Sequence, residues 1–343
     1  MDGIELTPDA PVGRVVDRGV TAADAGFDAV FVSAHYNNRD PFAVLARLAA
    51  RTDDVRLGPG VVNPLETHPV TLASRVGTVA EQADGRAVFG VGPGDPATLS
   101  NLGLGSDRGL APVLEAATVA RKLFAGERVD HDGAFVADGA GLNFDVPGPL
   151  PVFVGGEGPD MCRMAAAHAD GLLYNGAHPD DLAWARERVE EGLAERTVGT
   201  AGGGDGSADA HEPVPADAFD LLAYASVSVA ADGERARRAA RRPVAFIAAG
   251  APPAVCERHG VDAERAAAVA DAIADGRFSD ADDLVTPAMV DAFAVAGTPP
   301  AVADRLADLL VHADGVVVGA PLGPDPDDAV AMAAEALRDA RAR

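Results

Sequence analysis

Several apolar runs in this 343-residue chain end in residues that can donate a proton or hold an anion. Glu5 lies in Gly3-Ile4-Glu5-Leu6. Burial beside Ile4 and Leu6 would raise its pKa and let it donate a proton near neutral pH; the alternative is an exposed carboxylate at a strand end. Asp95 tips the glycine-rich stretch 86–95, where a solvated turn acid is the alternative. His35 sits in Ser33-Ala34-His35-Tyr36-Asn37-Asn38-Arg39-Asp40, a polar run that favours a rim position over a core or capping one. His68, just before Pro69, suits the start of a helix. Gly155-Gly156-Glu157-Gly158 precedes a helix from Pro159, and free amides there would suit an anion such as a cofactor phosphate. The eight histidines show neither His-x-His nor His-Glu-x-x-His spacing, so no metal site is expected.

These residues need elements to place them. Strand signals fall at 3–6, 27–33, 55–62, 86–91, 151–154, 171–174, 221–229 and 315–318, with helical patterns between them. Eight strands alternating with helices favour a single α/β domain, a closed (β/α)8 barrel, over an open sheet. Ligands bind such barrels at the carboxyl ends of the strands. Those ends here are Glu5, 33–35, 60–63, Asp95, 155–158 and Asn175. The same ends are rich in glycine, at Gly58, Gly60, Gly90, Gly92, Gly94 and 155–158, as though cleared for a close approach. Two segments break the alternation: an acidic, glycine-rich insertion at 198–217, read as flexible, and a helical elaboration at 243–298.

The net charge is −25, and Lys122 is the sole lysine. So acidic a chain repels phosphate backbones, which argues against nucleic acid as a partner. Its 48% apolar content argues against disorder. An acidic, lysine-poor surface resembles that of proteins from salt-loving archaea, where salt screens the self-repulsion. With no membrane-length apolar run and no basic, apolar leader, the cytoplasm is the expected location. Cys162 and Cys256 are expected as buried thiols rather than a disulfide.

Longer blocks carry a family resemblance. Gly3-Ile4-Glu5, the 34–40 run, Leu57-Gly58-Pro59-Gly60-Val61-Val62-Asn63-Pro64, 90–95, Gly155-Gly156-Glu157-Gly158-Pro159, Val244-Ala245-Phe246-Ile247, Glu257-Arg258-His259-Gly260, 292–297 and 319–324 together resemble methylenetetrahydromethanopterin reductase. That family uses coenzyme F420 on a bacterial-luciferase-like barrel. The resemblance covers nearly the whole chain except the 198–217 insertion. It implies a non-prolyl cis peptide at Gly60-Val61 backing the deazaflavin ring. It also implies a cofactor set of His35, Gly60, Val61, Asn63, Asn175 and the phosphate loop Gly155, Gly156, Glu157 and Gly158.

The implied reaction moves a hydride from reduced F420 to the methylene carbon of a tetrahydropterin, of methanopterin or folate type. A closed imidazolidine ring accepts hydride poorly, so an acid first opens it to an iminium cation. Glu5 is the implied acid, with Asp95 stabilising charge or positioning the pterin, and dimers or tetramers are implied. The chain departs from the family pattern at Ala34, where relatives commonly carry Asp, and at Glu157, where they carry an amide. The competing readings are another F420- or FMN-dependent barrel oxidoreductase with a different small substrate, and a non-catalytic F420- or flavin-binding barrel.

Overall fold

Proline opens helix after helix, because its fixed φ suits a first turn whose amide has no partner anyway. Pro41, Pro69, Pro159 and Pro326 all occupy that position. The structure, a computed structural model, describes residues 1–105, 109–201 and 215–343. It divides into two compact units, Met1–Tyr174 with Trp184–Leu222, and Asn175–Ala183 with Ala223–Arg343.

The first unit runs β1 (Gly3–Leu6), α1 (Val12–Asp24), β2 (Ala29–Val32), α2 (Pro41–Ala49), β3 (Arg56–Pro59), α3 (Pro69–Gln82) and β4 (Phe89–Val91). It continues through α4 (Pro96–Asn101), α5 (Leu110–Phe124), β5 (Val129–Asp132), β6 (Val136–Ala140), β7 (Val152–Gly156) and α6 (Pro159–His168). The unit boundary then cuts β8 (Gly171–Asn175), α7 (Pro179–Ala201) and β9 (Asp220–Val229). The parallel ladder β1–β2–β3 sets Glu5 against Phe31 and Phe31 against Gly58. Parallel bridges Leu57–Ala87 and Val62–Val91 carry it to β4, which pairs with β7, and β7 with β8. Ile4, Phe31, Leu57 and Phe89 are fully buried, as strands covered by helices require.

The second unit adds α8 (Gly233–Gly250), α9 (Pro253–Arg258), α10 (Ala263–Ala274), α11 (Phe278–Leu284), α12 (Pro287–Phe293), β10 (Val295–Gly297), α13 (Pro299–Leu310), β11 (Gly315–Leu322) and α14 (Pro326–Arg341). β9 lies between β8 and β11, with β10 added to it in parallel. Helices α8 to α12 form the helical elaboration around their own core, which includes Val244, Val269, Met289 and Phe293.

All eight expected strands are present, and three features are additional. The β5–β6 hairpin is antiparallel and largely polar, so no apolar run announced it. Helix α4 and strand β10 are too short for periodicity to register. Helix α8 continues through Pro243 to Gly250 because Ala240, Val244, Ala245 and Ala248 stay buried along it. Tertiary burial there outweighs local propensity. The glycine-rich part of the insertion, 202–214, lies outside the described residues; α7 runs up to it and a short turn at Ala216–Ala218 follows it. Cys162 and Cys256 are buried free thiols, and burial pushes the Cys162 thiol up to about 12. No described helix is long and apolar enough to cross a membrane.

Candidate functional site

The chain leaving β3 makes a cis peptide at Gly60-Val61. The Val61 side chain then fills the space left by glycines on two neighbouring strand ends. A methyl group on Gly92 would sit 2.6 Å from Val61 Cγ2, and one on Gly155 would sit 3.1 Å from both Val61 methyls. One on Gly90 would meet the Pro59 carbonyl at 2.1 Å, and one on Gly58 the Val88 carbonyl at 2.5 Å. These glycines admit the protein's own bulge and backbone; the clearance expected for a ligand is occupied from within. Gly158 differs, since nothing stands within 4 Å of its missing Cβ.

Around the bulge the first unit gathers most of the expected site residues. Glu5 is 3% exposed, and the Thr7 hydroxyl donates to its Oε1 at 2.9 Å. The strand-end carboxylate is therefore buried and oriented, not solvated. His35 Nδ1 stands 3.8 Å from Asp95 Oδ2, with both side chains about half exposed. Asp95 also caps α4, its Oδ1 accepting from the Thr98 amide at 2.8 Å, as an aspartate at an N-cap does. It is thus both a structural cap and a neighbour of His35. Asn63 is buried; its Oδ1 accepts from the Leu65 amide at 2.8 Å and its amide nitrogen packs where a Gly94 side chain would stand. Most of Asn63's bonding is spent on shaping its own turn. His68 caps α3, accepting from the Val70 amide at 3.2 Å.

One member was not expected from the sequence. Glu66 receives the Asn63 amide at 3.4 Å. Its carboxyl lies above the usual range because partial burial and the Asp95 charge outweigh Asn63 and His35. The signal was the Asn63 turn, which brings round a residue three positions on. Ser33, from the expected 33–35 strand end, has a buried hydroxyl with no hydrogen-bond partner among the described residues.

Gly155 and Gly156 end β7, half-buried, and Glu157 and Gly158 follow it, exposed. Helix α6 begins there with no side-chain cap on Gly158, and Arg163 engages the first-turn carboxylate of Asp160 at 2.9 Å. An exposed glycine turn, an uncapped helix start and the orphaned Ser33 hydroxyl fit an anionic cofactor with hydrogen-bonding ring edges. Asn175 ends β8, exposed, and belongs to the second unit. It follows Tyr174, the register partner of Gly156. A cavity of about 430 Å³ lies at the opposite, amino ends of the strands, lined by Asp28, Asp54, Arg56, Phe153, Asp170 and Asp220 among others. It holds none of the expected site residues.

The pattern of this rim is matched by a protein-family description, luciferase-like monooxygenase, over residues 2–317. The chain belongs to the luciferase-like monooxygenase family. Within that family it is 38% identical over 336 residues to the 5,10-methylenetetrahydromethanopterin reductase of Archaeoglobus fulgidus, covering 96% of each chain. The solved coenzyme F420 dependent tetrahydromethanopterin reductase of Methanopyrus kandleri matches with a TM-score of 0.88 and 32% identity over 98% of each chain. An F420-dependent secondary alcohol dehydrogenase matches with a TM-score of 0.77 at 18% identity, over 99% of this chain and all of that one, a likeness of fold alone. The fold is the luciferase-like α/β barrel that the alternating strands and helices imply.

Proposed function

We propose that this luciferase-like protein is an F420-dependent reductase that converts 5,10-methylenetetrahydromethanopterin, or its folate counterpart, to the methyl form. The observation that carries the reading is end-to-end identity of 38% with a reductase of that name. Reduced F420 supplies the hydride when bound. The protein's part is to hold the two carbons about 3–3.5 Å apart, aligned, with water excluded.

Each proposed role has a local support. Glu5 is the acid that protonates the imidazolidine nitrogen and opens the ring, because it is buried and its Oε1 is fixed by Thr7. Asp95 is the second catalytic carboxylate, its Oδ2 turned toward His35 while Oδ1 stays in the cap. Gly60, Val61, His35 and Asn63 would hold the cofactor ring. Gly155, Gly156, Glu157 and Gly158 would receive its phosphate, and Asn175 would contribute from the end of β8. A single lysine and a charge of −25 support a salt-adapted, cytoplasmic protein. A homo-oligomer is part of the proposal, and light scattering in molar salt tests it.

The assay is anaerobic, in molar salt. Purified protein is mixed with oxidised F420 and either methyltetrahydromethanopterin or methyltetrahydrofolate, and F420 absorbance is followed. Bleaching with one of them establishes the reaction and names the carrier. Binding of F420 without bleaching by either overturns the substrate, and binding of FMN alone overturns the cofactor.

A further inference from the structure

The Glu257-Arg258-His259-Gly260 block lies outside the rim described above, yet its side chains are not idle. His259, at the end of α9, has a side chain 2% exposed, and its Nε2 meets Asp181 Oδ2 at 2.9 Å. Arg258 donates through Nη1 to the other oxygen of the same carboxylate. Asp181, itself 8% exposed at the side chain, sits in the first turn of α7, directly after the loop that leaves β8. His178, in that loop, lays its ring on His259 with centroids 4.4 Å apart. Phe293 closes the far side of His259 edge-on at 6.1 Å. All of these groups belong to the second unit.

The loop from Asn175 to Asp181 is short. Gly176 donates its amide to the Tyr224 carbonyl at 3.3 Å, and the Asp181 and Leu182 amides return to the His178 carbonyl. The side chains of His178 and Asp181 both meet the α9 block. A buried ion pair is weak evidence for stability, since desolvation offsets its attraction. Its geometric consequence is firmer: two donors on one carboxylate fix both its place and its rotation. The loop begins at Asn175, one bond from Tyr174, which stands in register with the phosphate-loop residue Gly156.

We infer that Arg258 and His259 are positioning residues: through Asp181 and His178 they set the β8–α7 loop so that Asn175 is presented to the cofactor. This rests on the F420 reading above. Removing the clamp frees the loop and weakens cofactor binding, while the pterin and the proton-donating groups are untouched.

The test is F420 fluorescence quenching at equilibrium in molar salt, alongside steady-state kinetics and thermal unfolding. His259→Ala is expected to raise the F420 Kd and KM about tenfold or more, with kcat at saturating F420 and KM for the methylene-pterin within about threefold of wild type. His259→Gln, which keeps a donor at the Nε2 position, should recover most of the loss. Paired with Asn175→Ala, it should cost less than the sum of the two single variants, since both act on one contact. A folded His259→Ala protein that binds F420 within about twofold of wild type overturns the clamp, as does a parallel fall in every kinetic constant. Should His259→Ala not fold, Arg258→Lys is judged by the same readout. Wild-type protein that fails to quench F420 overturns the cofactor reading itself, a result distinct from the others.

Discussion

At Val61 the loop after β3 is held by shape. At Asp181 the loop after β8 is held by charge. Val61 lies on surfaces kept bare by Gly92 and Gly155, and no ionised group takes part. Asp181 instead draws two donors from a block 77 and 78 residues further along the chain, inside a shell of rings. A seat made of shape cannot absorb one added carbon but ignores pH and salt. A seat made of buried charge tolerates changes of volume and responds to protons, and burial shields it from changes of ionic strength. The molecule thus uses a rigid device at the exit of β3 and a titratable device at the exit of β8.

The contrast can be broken most severely at the glycines. Gly90→Ala places a methyl 2.1 Å from a backbone carbonyl, which cannot move aside as a side-chain tip would. It should cost about 3 kcal/mol or prevent folding, read by urea unfolding in molar salt. Gly155→Ala meets only the Val61 methyls at 3.1 Å and should cost about 1 kcal/mol. An equal cost at the two positions would show that the seat is softer than its geometry.

The charged seat should answer to acid. Burial, Arg305 and His259 hold His178 below its ordinary value, with Asp180 and Asp181 opposing. The folded state therefore resists a proton that the unfolded chain takes near pH 6.5, and stability falls as pH drops from there until the folded value is passed. Asp181 behaves differently. Burial would raise it, but the bonds and charges of His259 and Arg258 outweigh that and hold it below the usual range. Its contribution is present above about pH 4 and is lost as pH falls through the lower folded value. The Tm should therefore decline in two stages on acidification, and His178→Gln should shrink the upper one, leaving the part that His168, also held low by burial, contributes. A single decline near pH 4 in both proteins contradicts the assignment to His178.

The smallest effect is expected at Glu66, whose carboxyl burial holds above its usual range. The folded state binds its proton more tightly than the unfolded chain does, so stability falls as pH rises through the folded value. Glu66→Gln should remove that fall and stabilise the protein at neutral pH by about 0.5 kcal/mol or less. Destabilisation instead would mean that the Asn63 contact matters more than the repulsion from Asp95.

The rim was legible in the sequence because each strand is an apolar run and each run ends in a polar or small residue. Glu5 between Ile4 and Leu6 left two readings open, a buried acid and an exposed strand-end carboxylate, and only its 3% exposure decides for the first. The purpose of the glycines could not, because what fills their space is a side chain from another strand, and that bulge was reached only through family resemblance. The β5–β6 hairpin was hidden by its polar alternation. Asp181, Arg258 and His259 are ordinary residues locally; separated by a long stretch of chain, they leave no periodic trace. The approach of Glu66 to Asp95 needs the Asn63 turn and the β4 exit together, which no single segment encodes.

The most direct test of the account is single-turnover hydride transfer in Glu5→Gln. The variant and wild type are saturated anaerobically with reduced F420, mixed with methylenetetrahydromethanopterin, and followed by the return of F420 absorbance. The amide keeps the size and the Thr7 contact but has no proton to give. F420 affinity within about twofold of wild type, with the transfer rate down about 10²–10⁴-fold, is the predicted result. Transfer at the wild-type rate would contradict Glu5 as the acid that opens the ring.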